Sequence, residues 1–404
     1  MAHPDRLPFA PLLATLLVQA LATMTSFAVP VLAPVIAADL GVAPARVGLF
    51  TSLLYVAATV GAILCPGFIA RYGPIRMSQL LMLFCAAALG VAAGGTVALL
   101  ALAALGLGIA YALPVPSGAL ILMRTAPPRL RNLVFSIRQT GVPLGGMAAG
   151  ALLPPLAVAQ GWQAALLLLA LPMLALAAAL APLRRELDAG RNPAAALVAG
   201  NPLRALDPLF RNPALRWLSV AAFFFAGTEL AFAAFLVAYL TERIGFALVA
   251  AGLALSFFQV GGLVGRLMLG LAADRLRRRS RLLGVIGLLM ATAAVGTALF
   301  SAAWPRPLLL AVAFAGGFTS GGWTGVGIAE VARAAGAEGA VAATGAFTMI
   351  MFLGVIVWPS LFSLIVAVAG SYAIAYAAVA AGAAGAGLLL LASPGPAAVT
   401  SEAP

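Results

Sequence analysis

One carboxyl group lies far inside an apolar stretch of the sequence. Glu229 stands 13 positions after Arg216 and 13 before Glu242, so on a helix it is about 20 Å from each of these charges. Its phenylalanine neighbours, Phe223, Phe224, Phe225 and Phe232, make an ionised carboxyl costly there. Such a carboxyl could take up and release a proton, form a hydrogen bond between helices, or contact a cationic ligand directly.

A second charged group, Arg138, lies near the start of another apolar stretch. It follows Leu133 by five positions, which is about 8 Å along a helix. Its planar guanidinium could bind a carboxylate through two parallel hydrogen bonds. Arg138 could also extend back to the near surface or pair with an acidic group at a gate, and the sequence leaves these alternatives open.

Uncharged polar and aromatic residues recur in the other apolar stretches. Those that could line a polar pathway together with Glu229 and Arg138 are Gln19, Thr23, Gln139, Gln259, Trp323 and Thr348. The alternative for each is a hydrogen bond between helices. The only histidine, His3, stands near the amino terminus and no phosphate-binding loop occurs, so the sequence predicts no metal site, no cofactor and no direct use of ATP.

The composition indicates which elements position these residues. Of 404 residues, 64% are hydrophobic and 8% are charged, which excludes a soluble globular domain or a disordered chain. A membrane span needs about 20 apolar residues, and apolar stretches of this length predict an all-α polytopic membrane protein with twelve transmembrane helices. The predicted spans are 11–37, 46–69, 77–97, 98–123, 133–157, 163–182, 215–240, 248–273, 282–303, 308–331, 341–367 and 372–392.

The net charge of +12 comes from arginines whose positions follow these spans. Eighteen of the 23 arginines fall in every second loop or its edge, which is the asymmetry that sets orientation in a bilayer. This distribution argues against nucleic acid as the partner. It predicts a multi-pass protein of a bacterial cytoplasmic membrane, with the lipid bilayer around it and both termini in the cytoplasm.

The spans divide into two related halves. The predicted organisation is a tail at 1–10, a six-helix bundle at 11–182, a polar linker at 183–214, a second bundle at 215–392 and a tail at 393–404. Arg71 and Arg275 occupy equivalent places 204 positions apart, as do Pro155 and Pro359. Such parallel repeats are typical of one transporter architecture, which places its substrate site between the halves.

Charged motifs follow the second and eighth spans. The later copy contains Arg266, Gly270, Asp274 and Arg275, and the earlier one contains Arg71, Gly73 and Arg76. Both resemble the loop motif G-x-x-x-D-R-x-G-R-R of the major facilitator superfamily, although Ala70 stands where the later copy has Asp274. The resemblance covers residues 10 to 392. It implies two pseudo-symmetric six-helix bundles and a carboxylate–arginine cluster that closes a cytoplasmic gate.

The fifth span is similar to the Gly/Pro motif of the same superfamily, although the match is partial. Its motif residues are Gly141, Pro143, Gly145 and Gly146, and the eighth span carries a comparable pair, Gly261 and Gly265. The resemblance implies that these two spans pack against each other across the half interface, where small residues permit close contact. Tight packing without sliding is the alternative.

Together, these features favour a transporter over an enzyme. The resemblance implies a secondary transporter, acting as a monomer, that alternates access by rocking its halves. Arg138 and Glu229 favour symport of a small organic anion with a proton. Efflux of apolar or cationic compounds in exchange for protons is the alternative within this class, and a membrane sensor or scaffold is the alternative outside it.

Overall fold

Helices of membrane-spanning length make up most of the described chain. The computed structural model describes residues 7–197, 209–210, 212–276 and 279–393, except the side chains at 132, 274, 337, 338 and 340–342. In these ranges twelve helices are long and apolar enough to cross a bilayer, which confirms the expected all-helical architecture. They are α1 (Phe9–Leu40), α2 (Pro44–Tyr72), α3 (Pro74–Ala92), α4 (Val97–Thr125), α5 (Leu133–Gln160), α6 (Trp162–Leu187), α7 (Pro213–Glu242), α8 (Leu248–Ala273), α9 (Arg279–Ala298), α10 (Arg306–Gly336), α11 (Ala343–Ala369) and α12 (Tyr372–Ala392).

Parts of the predicted tails and linker lie outside the described residues. These parts are 1–6, 198–208, residue 211 and 394–404. The beginning of the linker is described, and it packs on the first half: the Asn192 amide donates to the Ala70 carbonyl at the end of α2 (2.8 Å).

The same helix pairings occur in both halves. In the first half α1 packs on α5, α2 on α4 and α3 on α6; in the second, α7 packs on α11, α8 on α10 and α9 on α12. Each pairing in the first half therefore has its counterpart six helices later. The helices that contact the other half are chiefly α1 with α7, α5 with α8, and α2 with α11.

A pair of hydrogen bonds repeats this symmetry at the level of side chains. Asp39, near the end of α1, accepts a bond from the Trp162 indole at the start of α6 (3.0 Å). Glu242, at the end of α7, accepts one from the Tyr372 hydroxyl at the start of α12 (2.8 Å). In each half the first and last helices are thus connected at the same end by a carboxylate and an aromatic donor.

Three helices are irregular at informative places. The helical segments of α4 are Val97–Tyr111 and Pro114–Thr125, because Pro114 has no N–H to continue the ladder. In α5 the helix is interrupted at Thr140, directly after Arg138 and Gln139. Between α10 and α11 the backbone turns sharply at Gly336, whose φ of 71° is a conformation that glycine adopts readily.

The two halves meet mainly at one end of the molecule. We call the end that carries Arg71 and Arg76 the arginine-rich end, and the other, where α1 finishes and α2 begins, the opposite end. Near the opposite end the Ser52 hydroxyl donates to the Ile356 carbonyl (2.5 Å) and accepts from Ser360 (2.8 Å). These bonds join α2 to α11, so the halves are closed against each other there.

Candidate functional site

Glu229 lies at the centre of a cluster formed by three helices of the second half. It stands 13 positions before the end of α7, about 20 Å from that end. One carboxyl oxygen accepts a hydrogen bond from the Trp323 indole of α10 (3.2 Å), and the other lies 3.7 Å from the Arg266 Nη2 of α8. A distance of 3.7 Å makes this a loose ion pair, since charge-assisted hydrogen bonds are shorter, at about 2.7–2.9 Å.

Arg138 lies in the first half, between α1 and α4. Its Nη2 donates to the Gln19 Oε1 of α1 (2.9 Å) and to the Pro114 carbonyl of α4 (2.6 Å), while Nη1 donates to Gln139 (3.1 Å). The residue is 2% exposed. Because Gln19 lies ten positions into α1, about 15 Å from its start, the guanidinium points inward rather than towards the surface. No acidic side chain pairs with it in the described part of the chain.

Gly118 makes this position for Arg138 possible. A Cβ at residue 118 would collide with the Arg138 Nε, and it would lie 3.0 Å from Cζ. The second segment of α4 therefore leaves room for the guanidinium only because this position has no side chain. Residue spacing could not predict this contact, because residues 118 and 138 belong to different helices.

Aromatic residues bring the two clusters together. Tyr55 of α2 and Tyr111 of α4 pack edge to face with ring centroids 5.8 Å apart. Both are close enough to Glu229 to interact with it electrostatically, and Tyr111 also lies beside Thr23. Tyr55 also contacts Phe352 of α11, at 6.5 Å between centroids. The predicted residues Gln19, Thr23, Arg138, Gln139, Glu229 and Trp323 therefore occupy one central region.

A cavity of about 270 Å³ lies between the halves on the arginine-rich side of this region. Among the described residues Arg266 is the one charged side chain that lines it, and Ser136, Gln139, Thr140 and Thr324 supply polar groups. The remaining lining comes from α5, α8 and α10. Its size and its few polar groups are suited to a small solute.

Two other predicted pathway residues are placed differently. Gln259 of α8 is 8% exposed and lies against α5, where a Cβ at Gly146 would collide with its amide nitrogen. The hydroxyl of Thr348 donates to the Thr344 carbonyl one turn earlier in α11 (2.8 Å). Gln259 therefore lies at the interface between the halves, whereas the Thr348 hydroxyl bonds to a carbonyl of its own helix.

The residues of the later gate motif extend along α8. Arg266 is nine positions before Arg275, and its guanidinium faces Glu229 in the membrane. Gly270 lines the same cavity. The side chain of Asp274 lies outside the described residues, and Arg275 ends the α8 helix. Nine positions are two and a half helical turns, so Arg266 and Arg275 lie at different depths along α8.

In the first copy of the motif a distant residue supplies a carboxylate. Asp188, directly after α6, accepts hydrogen bonds from the backbone amides of Ile75 (2.8 Å) and Arg76 (3.0 Å). These amides belong to the first turn of α3, where backbone N–H groups have no carbonyl acceptor within the helix. Gly73 has a φ of 96°, and a Cβ there would collide with the Asp188 carboxyl. Arg71 and Arg76 instead approach the Tyr72 ring, at 5.9 and 6.0 Å.

The glycine motifs divide between two kinds of contact: α5 packs on α8 across the half interface, but only some of the motif glycines lie at that contact. Gly141 and Gly145 lie against α1, within the same half, and Gly261 and Gly265 lie against α10 rather than α5. The contact between α5 and α8 is formed instead by Gly146 and Gly150, which meet Gln259 and Gly252. The Ser256 hydroxyl donates to the Met147 carbonyl across this interface (2.9 Å). Pro143, three positions before Gly146 in α5, is also buried.

Glu330 and Arg333 form a separate ion pair near the arginine-rich end of α10. Arg333 donates to both carboxyl oxygens, at 2.8 and 2.6 Å, and the Glu330 side chain is fully buried. Because both residues belong to one helix, the pair neutralises a buried carboxylate without joining the halves.

Comparison with known proteins identifies the family. The family model described as Major Facilitator Superfamily matches residues 15–359. No curated protein matches the sequence. The chain is similar to a bacterial homologue of the human lysosomal transporter Spinster in an inward-facing, unoccupied conformation, with a TM-score of 0.70 and 16% identity over 96% of each chain.

Two further structures share the fold at similar sequence distance. The occupied inward-facing form of the same homologue gives a TM-score of 0.71 at 16% identity, over 97% of this chain and 96% of that one. A mutant of the nucleoside transporter NupG gives 0.71 at 16% identity, over 94% and 98%. The chain therefore belongs to the major facilitator superfamily and is an integral, multi-pass membrane transporter.

Proposed function

We propose that this transporter moves a small organic anion together with a proton. It does so across a bacterial cytoplasmic membrane in which both termini face the cytoplasm. The orientation is supported by the arginines at the loops of one end. In this orientation the 270 Å³ cavity lies on the cytoplasmic side and the serine contacts of α2 and α11 lie on the outer side.

The observation that carries the choice of an anion is the charge of the central region. Among its described residues the region holds two guanidinium groups, Arg138 beside Gln19 and Arg266 beside Glu229, and one carboxylate, Glu229, so it has a net charge of +1 when that carboxylate is ionised. Charge inside a membrane protein is costly unless it is paired or neutralised. A substrate carboxylate supplies the missing negative charge, and Arg266 lines the cavity in which it would bind.

The loose pair of Glu229 and Arg266 supports coupling to a proton. An ionised Glu229 competes with a substrate carboxylate for the Arg266 guanidinium. Protonation of Glu229 removes this competitor and leaves Arg266 for the substrate. Because one proton and one carboxylate add no net charge, the region carries +1 both empty and fully loaded, so the halves can rock at the same internal charge.

A second candidate, exchange of protons for a cationic compound, is favoured by the aromatic rings around Glu229. Tyr55, Tyr111 and Trp323 lie close to the carboxylate, and aromatic faces with a carboxylate suit an ammonium group. In that case Arg266 would hold Glu229 until the cation replaces it. The two candidates differ in the charge of the ligand.

Thermal unfolding of purified protein with a panel of carboxylates and size-matched amines distinguishes them. A ligand that binds only the folded state raises the apparent melting temperature, by an amount equivalent to about 2.7 kcal/mol at 100 times its Kd. We expect a carboxylate to raise it, Arg266→Gln to lose the effect, and Arg281→Gln, an exposed arginine in the first turn of α9, to keep it. Stabilisation by amines alone, or by a carboxylate in Arg266→Gln as well, would reject the anion proposal.

A further inference from the structure

A second cavity lies at the opposite end, within the first half. It has a volume of about 340 Å³ and is formed by α1, α2 and α4 and the loop that joins α1 to α2. Of the sixteen described residues that line it, fifteen have apolar side chains and the other is Arg46. It shares no lining residue with the 270 Å³ cavity between the halves, which lies on the arginine-rich side, so a ligand here would not be the transported solute.

The length of this cavity along α1 matches the thickness of one leaflet of a bilayer. Along α1 it extends from Leu40 back to Val29, eleven positions or about 16 Å, which is half the thickness of a hydrocarbon core of about 30 Å. Two of its lining residues, Leu49 and Val97, are each 56% exposed. Because these residues lie on membrane-spanning helices, the cavity opens sideways towards lipid.

Arg46 is the cation at the rim of this cavity. It is exposed, and its guanidinium has neither a hydrogen bond nor an ion pair within the described residues. The other two arginines at this end do have partners: Arg243 donates to the Gly370 carbonyl (2.7 Å), and Arg306 lies over the Phe246 ring at 5.8 Å. Arg46 therefore combines a free positive charge at the level of lipid headgroups with an apolar cavity below it.

We propose that this cavity is a phospholipid site, with one acyl chain between α1, α2 and α4 and the headgroup phosphate on Arg46. Guanidinium groups bind phosphate through paired hydrogen bonds. The apolar lining excludes a soluble anion as the occupant, and the single cation selects an amphipathic ligand with an anionic head. The site is independent of the substrate and of the coupling ion proposed above.

Photocrosslinking in vesicles tests this proposal. The full chain is reconstituted in phosphatidylcholine with a small fraction of phosphatidylglycerol that carries a diazirine near the end of one acyl chain. Peptide mapping should show adducts on α1, α2 and α4 in excess of those on the lipid-facing side of α9. Arg46→Gln should lower the adducts in the cavity about fivefold, the factor expected for one arginine near an anionic lipid surface.

Two further variants separate the headgroup contact from the chain contact. Ala101→Phe fills the cavity from α4 and should abolish the adducts while Arg46 remains. Arg306→Gln, the matched loss of an arginine at the same end, should leave them unchanged. Uniform labelling of all lipid-facing helices, or equal labelling in Arg46→Gln, would overturn the proposal. The proposal would also be overturned if a transported carboxylate displaced the lipid probe from the cavity. It would be overturned as well if crosslinking joined two copies of the chain and the second copy covered the cavity.

Discussion

Glu229 divides its two oxygens between unlike partners. One accepts a neutral hydrogen bond from Trp323 and the other faces the positive charge of Arg266. Protonation would remove the attraction to Arg266 and would also weaken the bond from Trp323, so a proton on α7 affects both α8 and α10. The sequence places Glu229 deep in α7 from spacing alone. It could not show these partners, because the three residues come together only through the packing of α7, α8 and α10.

Arg138 can be tested without removing its charge. Gly118→Ala places a methyl group where the Arg138 Nε lies, so the guanidinium must leave Gln19 and Pro114. If Arg138 contributes to anion binding, we expect the Kd for the carboxylate to rise about tenfold or more, as for loss of a charged hydrogen bond. Ligand titration by thermal shift or calorimetry measures it.

The matched control for this prediction is Gly90→Ala. Gly90 lies in α3 and has open space where a Cβ would be, so affinity should not change. Arg138→Lys keeps the charge but not the planar fork and should resemble Gly118→Ala. An unchanged Kd in both Gly118→Ala and Arg138→Lys would assign Arg138 a purely structural role.

At the scale of elements, the start of the linker stabilises the first half. Asp188 caps α3, Asn192 bonds to the end of α2, and the Arg124 guanidinium of α4 donates to the Leu187 carbonyl (3.4 Å). The segment after α6 therefore connects α2, α3 and α4 at the arginine-rich end. Motif spacing could not predict this, because the carboxylate comes from a residue 113 positions after Ile75.

Asp188→Ala should destabilise the protein by about 1–2 kcal/mol, the usual effect of losing a helix-capping side chain. Thermal unfolding of the purified protein measures the change. Glu186→Ala, two positions earlier and exposed, is the control and should have little effect. Equal melting temperatures for Asp188→Ala and the parent would show that α3 does not depend on this cap.

The glycine motifs show what a sequence pattern can and cannot predict about helix packing. Repeated glycines indicate a face of close approach, and all six glycine and proline positions do lie at buried or closely packed places. The pattern does not name the partner helix. Gly261 and Gly265 meet α10 rather than α5, since the four-residue spacing is the same whichever neighbour packs there.

At the scale of the whole molecule, the arginine distribution predicts orientation. Cysteines introduced at Arg191 and Arg277 should be shielded from an impermeant thiol reagent in intact cells, whereas one at Arg306 should react. The native Cys65 and Cys85 are buried and should give little background. External labelling at position 191 would contradict the proposed topology.

The described conformation represents one side of a transport cycle. The halves contact each other near the opposite end through α5 with α8 and α2 with α11, and the 270 Å³ cavity lies on the arginine-rich side. Hydropathy and the internal repeat predict twelve helices and two halves. They do not predict which end is closed, because that depends on contacts such as Ser52 with Ile356, between residues 304 positions apart.

The central claim is that Glu229 couples a proton to movement of the substrate, and the most direct measurement compares exchange with accumulation in liposomes. Glu229→Gln mimics the protonated acid but cannot release a proton. With the carboxylate identified by thermal shift, exchange between equal pools should continue at a rate close to the parent's. Uphill accumulation driven by an imposed pH gradient should be lost, while Glu186→Gln should retain both. If Glu229→Gln accumulates substrate against its gradient at the parent's rate, Glu229 is not the coupling group.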